Sequence, residues 1–155
     1  MRVAVAGTFG PIHDGHRALF ERALELGDEG VLVGLTSDDL ARETRHEPRP
    51  VPPLEERLDA VRAELDDLDR WGRDVAIRTL DHRYDVAAWD PSLDALVVSP
   101  ETEGEVVEVN RRRRQRGLAP LEAVVVPFVR ADDGERISST RIVRGEVDEH
   151  GALLE

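Results

Sequence analysis

"MRVAVAGTFGPIHDGHRALF", Met1 to Phe20, decides the fold. From Arg2 to Gly7 small and β-branched apolar residues follow one another, a run suited to a strand buried on both faces. Gly7, Gly10 and Gly15 then loosen the backbone, and a helix is predicted to begin between Asp14 and Ala18. His13 and His16 stand three positions apart across that helix start, so both can face one ligand. Free amide N–H groups at a helix N-terminus attract phosphate, and two imidazoles beside them deepen the attraction. A glycine turn alone is common. The HxxH pair inside it makes the reading specific.

Working outward, Leu19, Ala23 and Leu26 recur at helical spacing between Arg17, Glu21, Arg22 and Glu25, giving an amphipathic helix that ends at Gly27. Gly30 to Leu35, "GVLVGL", reads as a second buried strand. Strand, helix and strand of this size form a right-handed βαβ unit and so a parallel sheet. Ligands of such sheets lie beyond the strand C-termini, where Gly7–His16 and Thr36–Asp38 would meet.

Thr36 to Pro53 breaks the pattern, opening on a short helix and closing on prolines. Arg42, Arg45, His46 and Arg49 make it locally basic; a phosphate-contacting lid and a solvated loop both fit. Leu54, Leu58, Val61, Leu65 and Leu68 then mark a helix running to about Trp71. Strands are predicted at Val75–Leu80, Leu93–Ser99 and Leu121–Val129, the last with Pro127 arguing for an edge or an irregular end. Glu105 to Arg116 reads as a helix with Val106, Val109 and Arg113 aligned. A short terminal helix follows Ile137 with Ser138 or Ser139 as N-cap. The last residues, "DEHGALLE", carry one small apolar group that either docks or frays. Trp71, Tyr84 and Trp89 are expected to fill layer interfaces. The whole is one domain over 1–155, a Rossmann-like α/β fold with a parallel sheet and helices on both faces.

Composition narrows the function classes. The chain has 155 residues and no cysteine, which excludes disulfides, thiolate catalysis and a cysteine zinc cluster. Ala4 to Phe9 is too short to span a membrane, and the lack of a leader points to the cytoplasm. Asp and Glu number 33 against 21 basic residues, a net charge of -12, and every basic residue is arginine. An acidic, lysine-free surface suits a protein kept hydrated in high salt; a halophilic source and arginine-biased codon usage both fit. The same charge argues against broad nucleic-acid binding.

Two short motifs add a family resemblance. "GTFGPIHDGH" resembles the GxFDxxHxGH signature of the HxGH nucleotidylyltransferase superfamily, and "ISSTR", Ile137–Arg141, resembles its second signature. Between them "SPETEGEVVEVNRRRRQRGLAPLE" is similar to the matching stretch of archaeal phosphopantetheine adenylyltransferases. The resemblance implies transfer of AMP from ATP to 4'-phosphopantetheine. It implies that His16 is the main transition-state contact, with His13 its phosphate-binding companion, on a turn made of Gly7, Thr8, Phe9 and Gly15. Thr8 would hold the incoming phosphate and Phe9 would shape the pocket. Ser138, Ser139, Thr140 and Arg141 would bind the triphosphate. Asn110 and Arg113, matching the family's N-x-x-R pattern, would position substrate, and Ser99, Glu101 and Thr102 would complete that side. Magnesium is expected with ATP, on phosphates and water and without a protein ligand set.

The chain departs from the pattern twice. Gly10 stands where the family commonly has aspartate, and the lysine that often contacts phosphate after the second strand is missing. Arg45 or Arg49, with Arg42 behind them, would replace that lysine. A cytidylyltransferase acting on glycerol phosphate, an FMN or NMN adenylyltransferase, and a nucleotide-binding regulator without turnover are the competing readings.

Overall fold

β1, Arg2–Gly7, lies at the centre of a parallel five-stranded sheet ordered β3-β2-β1-β4-β5. The structure, a computed structural model, describes residues 1–44 and 49–155. β2 (Gly30–Thr36) pairs with β1 from Arg2 opposite Gly30 to Gly7 opposite Leu35, and β3 (Val75–Leu80) pairs with its other edge. β4 (Ala95–Val98) takes the opposite side of β1, and β5 (Glu122–Val125) forms the outer edge. All seven residues of β2 are buried, which follows from its unbroken apolar run. β5 is largely exposed and ends two residues before Pro127, short of the predicted Val129. Chain order reverses between β1 and β4, so the sheet opens a crevice at the C-terminal end of β1.

Alternation along β1 divides the core. Val3 and Val5 face α1 (Asp14–Leu26) and α3 (Leu54–Leu68), where Phe20, Leu24, Val61 and Leu65 are buried with them. Ala4 faces the other way, packing with Leu32, Leu96 and Val98 under α2 (Asp38–Thr44) and α4 (Glu105–Gln115) through Leu40, Val106 and Val109. Helices therefore cover both faces. A small third cluster, Ala131, Ile137 and Val147, supports α5 (Ser139–Val143).

Several boundaries differ from the sequence reading. α3 stops at Leu68 rather than Trp71 because the Asp69 carboxylate turns back on the chain, accepting the N–H groups of Trp71, Gly72 and Arg73. Trp71 and Tyr84 pack at the edges of the two main cores, whereas Trp89 is 46 % exposed. The C-terminal residues dock: Val147 and Leu153 bridge each other across a tight turn. Among the described residues no helix is long and apolar enough to cross a membrane.

Candidate active site

His13 is the N-cap of α1, and the cap is reciprocal. The His13 Nδ1 accepts the Gly15 N–H at 3.0 Å, and the His16 Nδ1 accepts the His13 N–H at 3.3 Å. Histidines here do what Ser and Glu do in an ordinary capping box. Each neutral ring, with Nδ1 serving as acceptor, carries its proton on Nε2, so each presents one N–H donor away from the helix. The rings stack with centroids 3.8 Å apart and 26° between their planes. Gly15 is small for a reason: a Cβ there would lie 2.7 Å from His13 Cε1.

Both rings are held neutral. Burial pushes His13 down to about 4, aided by the charges of Arg17, Arg136 and Arg49 and opposed by that of Asp14. Burial also lowers His16 well below 6.5, with His13, Arg49 and Arg17 adding to the effect. The turn thus combines two neutral donors with arginines near enough to act on them, inside a protein of net charge -12.

The turn rests on a stiff floor. Phe9, 3 % exposed, sits at φ 50 with its ring edge-on to His16 at 5.2 Å and against Phe20 at 4.8 Å. A bulky residue in the left-handed region is strained, and packing on both sides holds it there. Its ring also lies on Gly7, where an added Cβ would come within 2.9 Å. Thr8 Oγ1 and Thr36 Oγ1 meet at 2.9 Å, tying the ends of β1 and β2 together.

Beneath them Arg57 is 1 % exposed. It donates to Thr8 O at 2.9 Å, Pro52 O at 2.8 Å and Asp38 Oδ1 at 3.0 Å. Its stem fills the space above Gly10, where a Cβ would meet Arg57 Cδ at 2.8 Å and Pro52 Cδ at 3.1 Å. Gly10 is therefore roofed by this arginine. The sequence reading passed over Arg57, although it falls three residues after Leu54 and four before Val61, on the buried stripe of α3.

The second motif meets the first directly. Ser139, 8 % exposed, donates its hydroxyl to Pro11 O at 2.8 Å, and Ser138 Oγ accepts the Arg141 N–H as N-cap of α5. Thr140 follows in the first turn of that helix. Turn and second motif form two halves of one cradle at the crevice.

The profile of the cytidylyltransferase-like family matches residues 4–145, the span from β1 through α5. A phosphopantetheine adenylyltransferase of Methanopyrus kandleri is 47 % identical over 148 residues, covering 96 % of this chain and 91 % of its own. That of Methanothermobacter thermautotrophicus is 40 % identical, with 98 % and 88 % covered. The chain belongs to the phosphopantetheine adenylyltransferase family. A crystal structure of an Archaeoglobus fulgidus protein of unknown function superposes with a TM-score of 0.71 at 32 % identity, covering 81 % of this chain and 89 % of that one.

Other residues that the family resemblance singles out have different surroundings. Arg141 spends its guanidinium on Asp133, Glu146 and the Arg136 carbonyl, so its charge is already matched by two carboxylates. Asn110, expected to position substrate, instead splices α4 to β5: its Nδ2 donates to Leu121 O at 3.1 Å and its Oδ1 accepts the Leu121 N–H at 2.7 Å. Arg113 is 1 % exposed and donates to the carbonyls of Ala119, Ala87 and Asp90. Both residues face backbone because α4 buries the side on which they sit. Asn110 fixes the approach to β5, and Arg113 holds the segment from 84 to 90.

Ser99 and Thr102 close a tight turn after β4, with hydroxyls 3.3 Å apart. Glu101 beside them pairs with Arg136 Nη1 at 2.6 Å, which joins that turn to the approach of the second motif. Of the arginines proposed in place of the family lysine, Arg49 donates to Gly10 O at 2.9 Å and lies close enough to both histidines to lower them. Arg42 pairs with Asp39, three residues away on α2. Arg45 lies outside the described residues. Among the described residues no three His, Asp or Glu side chains gather as a metal cage.

Proposed function

We propose that this protein transfers the adenylyl group of ATP to 4'-phosphopantetheine, yielding dephospho-coenzyme A and pyrophosphate in coenzyme A synthesis. A phosphate oxygen of the acceptor attacks the α-phosphorus of ATP, and the bond from that phosphorus to the bridging oxygen of pyrophosphate breaks. The reaction needs no covalent nucleophile. It needs alignment of two phosphates and donors aimed at the charge that grows on the leaving group.

The observation that carries this reading is the reciprocal cap of His13 and His16. It leaves two Nε2–H donors side by side at a strand-to-helix turn. His16 serves the α-phosphate and the bridging oxygen, and His13 serves the β-phosphate. Thr8, tied to Thr36, holds the acceptor phosphate between the substrates, and Arg49 takes the place of the family lysine. Ser138, Ser139 and Thr140 close on the triphosphate from the other half of the cradle. Magnesium enters with ATP as part of the substrate, on phosphate oxygens and water. The choice of acceptor follows the Methanopyrus and Methanothermobacter relatives. A cytoplasmic location fits the substrates.

The test offers ATP or CTP with magnesium against phosphopantetheine, glycerol phosphate, choline phosphate, FMN and NMN, measuring pyrophosphate and the nucleotide product. ATP with 4'-phosphopantetheine should dominate, and pyrophosphate should appear only when the acceptor is present. Robust transfer to another acceptor with phosphopantetheine inert overturns the acceptor. ATP binding without turnover overturns the enzyme.

A further inference from the structure

We infer that residues 146–152 form a clasp that sets the gap between the two halves of the phosphate cradle, with Asp148 and His150 as positioning residues for ATP. The inference rests on the reading that a nucleoside triphosphate spans both halves.

One end of the clasp is seated on the second motif. Gly151 adopts φ 86 against the residue that opens "ISSTR": a Cβ at Gly151 would lie 2.8 Å from Ala131 Cα and 3.0 Å from Ile137 Cδ1. The Gly151 carbonyl accepts the Asp132 N–H at 2.9 Å. Only glycine meets both the backbone angle and the approach. Asp148 makes the turn rigid, its Oδ1 accepting the N–H groups of His150 at 2.9 Å and Ala152 at 2.8 Å.

The other end grips the first motif. The Glu149 carbonyl accepts the Asp14 N–H at 2.9 Å, and Asp14 directly follows His13. His150 Nδ1 lies 3.1 and 3.2 Å from the two Asp14 carboxylate oxygens. Arg17 gathers Asp14 at 2.8 Å, Glu149 at 2.9 Å and Glu64 of α3 at 2.9 Å. A few residues thus run from the base of Ile137 to the start of α1. They act beside the direct Ser139–Pro11 link.

This placement has an energetic consequence. A triphosphate that touches both halves must pay for ordering them if they are free to separate, whereas halves already held at the right gap cost nothing at binding. The clasp therefore acts on ATP affinity more than on the chemical step or the acceptor.

The full-length protein with Asp148→Ala or His150→Ala tests it, using titration of ATP without acceptor and steady-state kinetics. The ATP Kd and KM should rise roughly three- to tenfold, the scale of one or two groups newly ordered on binding. The acceptor KM and the kcat at saturating ATP should move by less than about twofold. Asp148→Asn, whose side-chain oxygen still accepts both N–H groups, should restore ATP affinity. His150→Ala removes a side chain that is 64 % exposed, so it carries the test if Asp148→Ala fails to fold. Folded variants with wild-type ATP affinity, or an equal loss in ATP affinity, acceptor KM and kcat, overturn the clasp. A wild-type protein that does not bind ATP overturns the reading and the clasp together.

Discussion

His16 stands with its ring edge-on to Phe9 and stacked on His13, so its replacement by alanine removes one donor together with a ring contact of Phe9 and the acceptor of the His13 N–H. If its Nε2–H meets charge that grows only in the transition state, His16→Ala lowers kcat about 100-fold or more and leaves most ATP affinity in place. Steady-state rates and ATP titration on the folded variant check this, and near-normal turnover defeats the role. His13 makes a separate prediction through pH. Its folded-state value of about 4 lies below the ordinary 6.5, so between those values the unfolded chain binds a proton that the folded chain refuses. Its contribution is fully present above 6.5 and drains as pH falls toward 4. For a side chain only 6 % exposed, that is about 2 kcal/mol lost between neutrality and pH near 4.5. Urea unfolding at the two pH values should show a fall smaller by that amount in His13→Asn, where a short amide can still cap the helix. The pair itself was legible in the sequence because HxxH, a preceding strand and flanking glycines are local. The reciprocal cap was not, since two histidines rarely perform it.

At the scale of elements, the helices show why some features of the fold followed from the sequence and others did not. α1 and β3 keep their predicted spans because the signals that bound them are local: an apolar helical stripe closed by Gly27, and a short β-branched run between charged turns. Arg113 of α4 aligns with Val106 and Val109 in the sequence, whereas Arg57 of α3 sits on a buried stripe that the leucines alone define. What each one reaches was not visible, because the accepting carbonyls come from segments distant in the chain. Arg113 joins α4 to Ala87 and Asp90, more than twenty residues earlier, and to Ala119 beyond its end. Asn110, the chain's only asparagine, carries no local sign of its bonds to Leu121, eleven residues on. We therefore expect Arg113→Ala to act first on stability. Three carbonyls lose their donor and a buried volume is emptied, which together cost about 3 kcal/mol or more. A lowered urea midpoint and faster proteolysis within 84–90 are the expected results. Unchanged stability with a selective loss of acceptor use returns Arg113 to direct substrate contact.

For the whole molecule, charge decides between two opposed effects of salt. α3 alone exposes Glu55, Glu56, Asp59, Asp66 and Asp67 on its outer face, with Arg62 as an exposed cation among them. The net charge of -12 makes the folded state repel itself in dilute buffer, and counter-ions within a Debye length relieve that repulsion. Salt also weakens exposed ion pairs such as Arg111–Glu108, but surface pairs contribute at most about 1 kcal/mol each and often nothing. Relief of repulsion therefore wins, and the midpoint of thermal unfolding should rise by several degrees between dilute buffer and molar KCl. Neutralising the five α3 carboxylates as amides should raise the midpoint in dilute buffer and flatten its salt dependence, which separates charge repulsion from a general salting-out effect. The site moves the other way. Arg49 lies close enough to both histidines to lower them, so the same ions screen its attraction for ATP and the ATP KM should climb as the protein becomes more stable. A midpoint that does not move with salt, or one that moves equally in the neutralised variant, removes the halophilic reading while leaving the active site untouched.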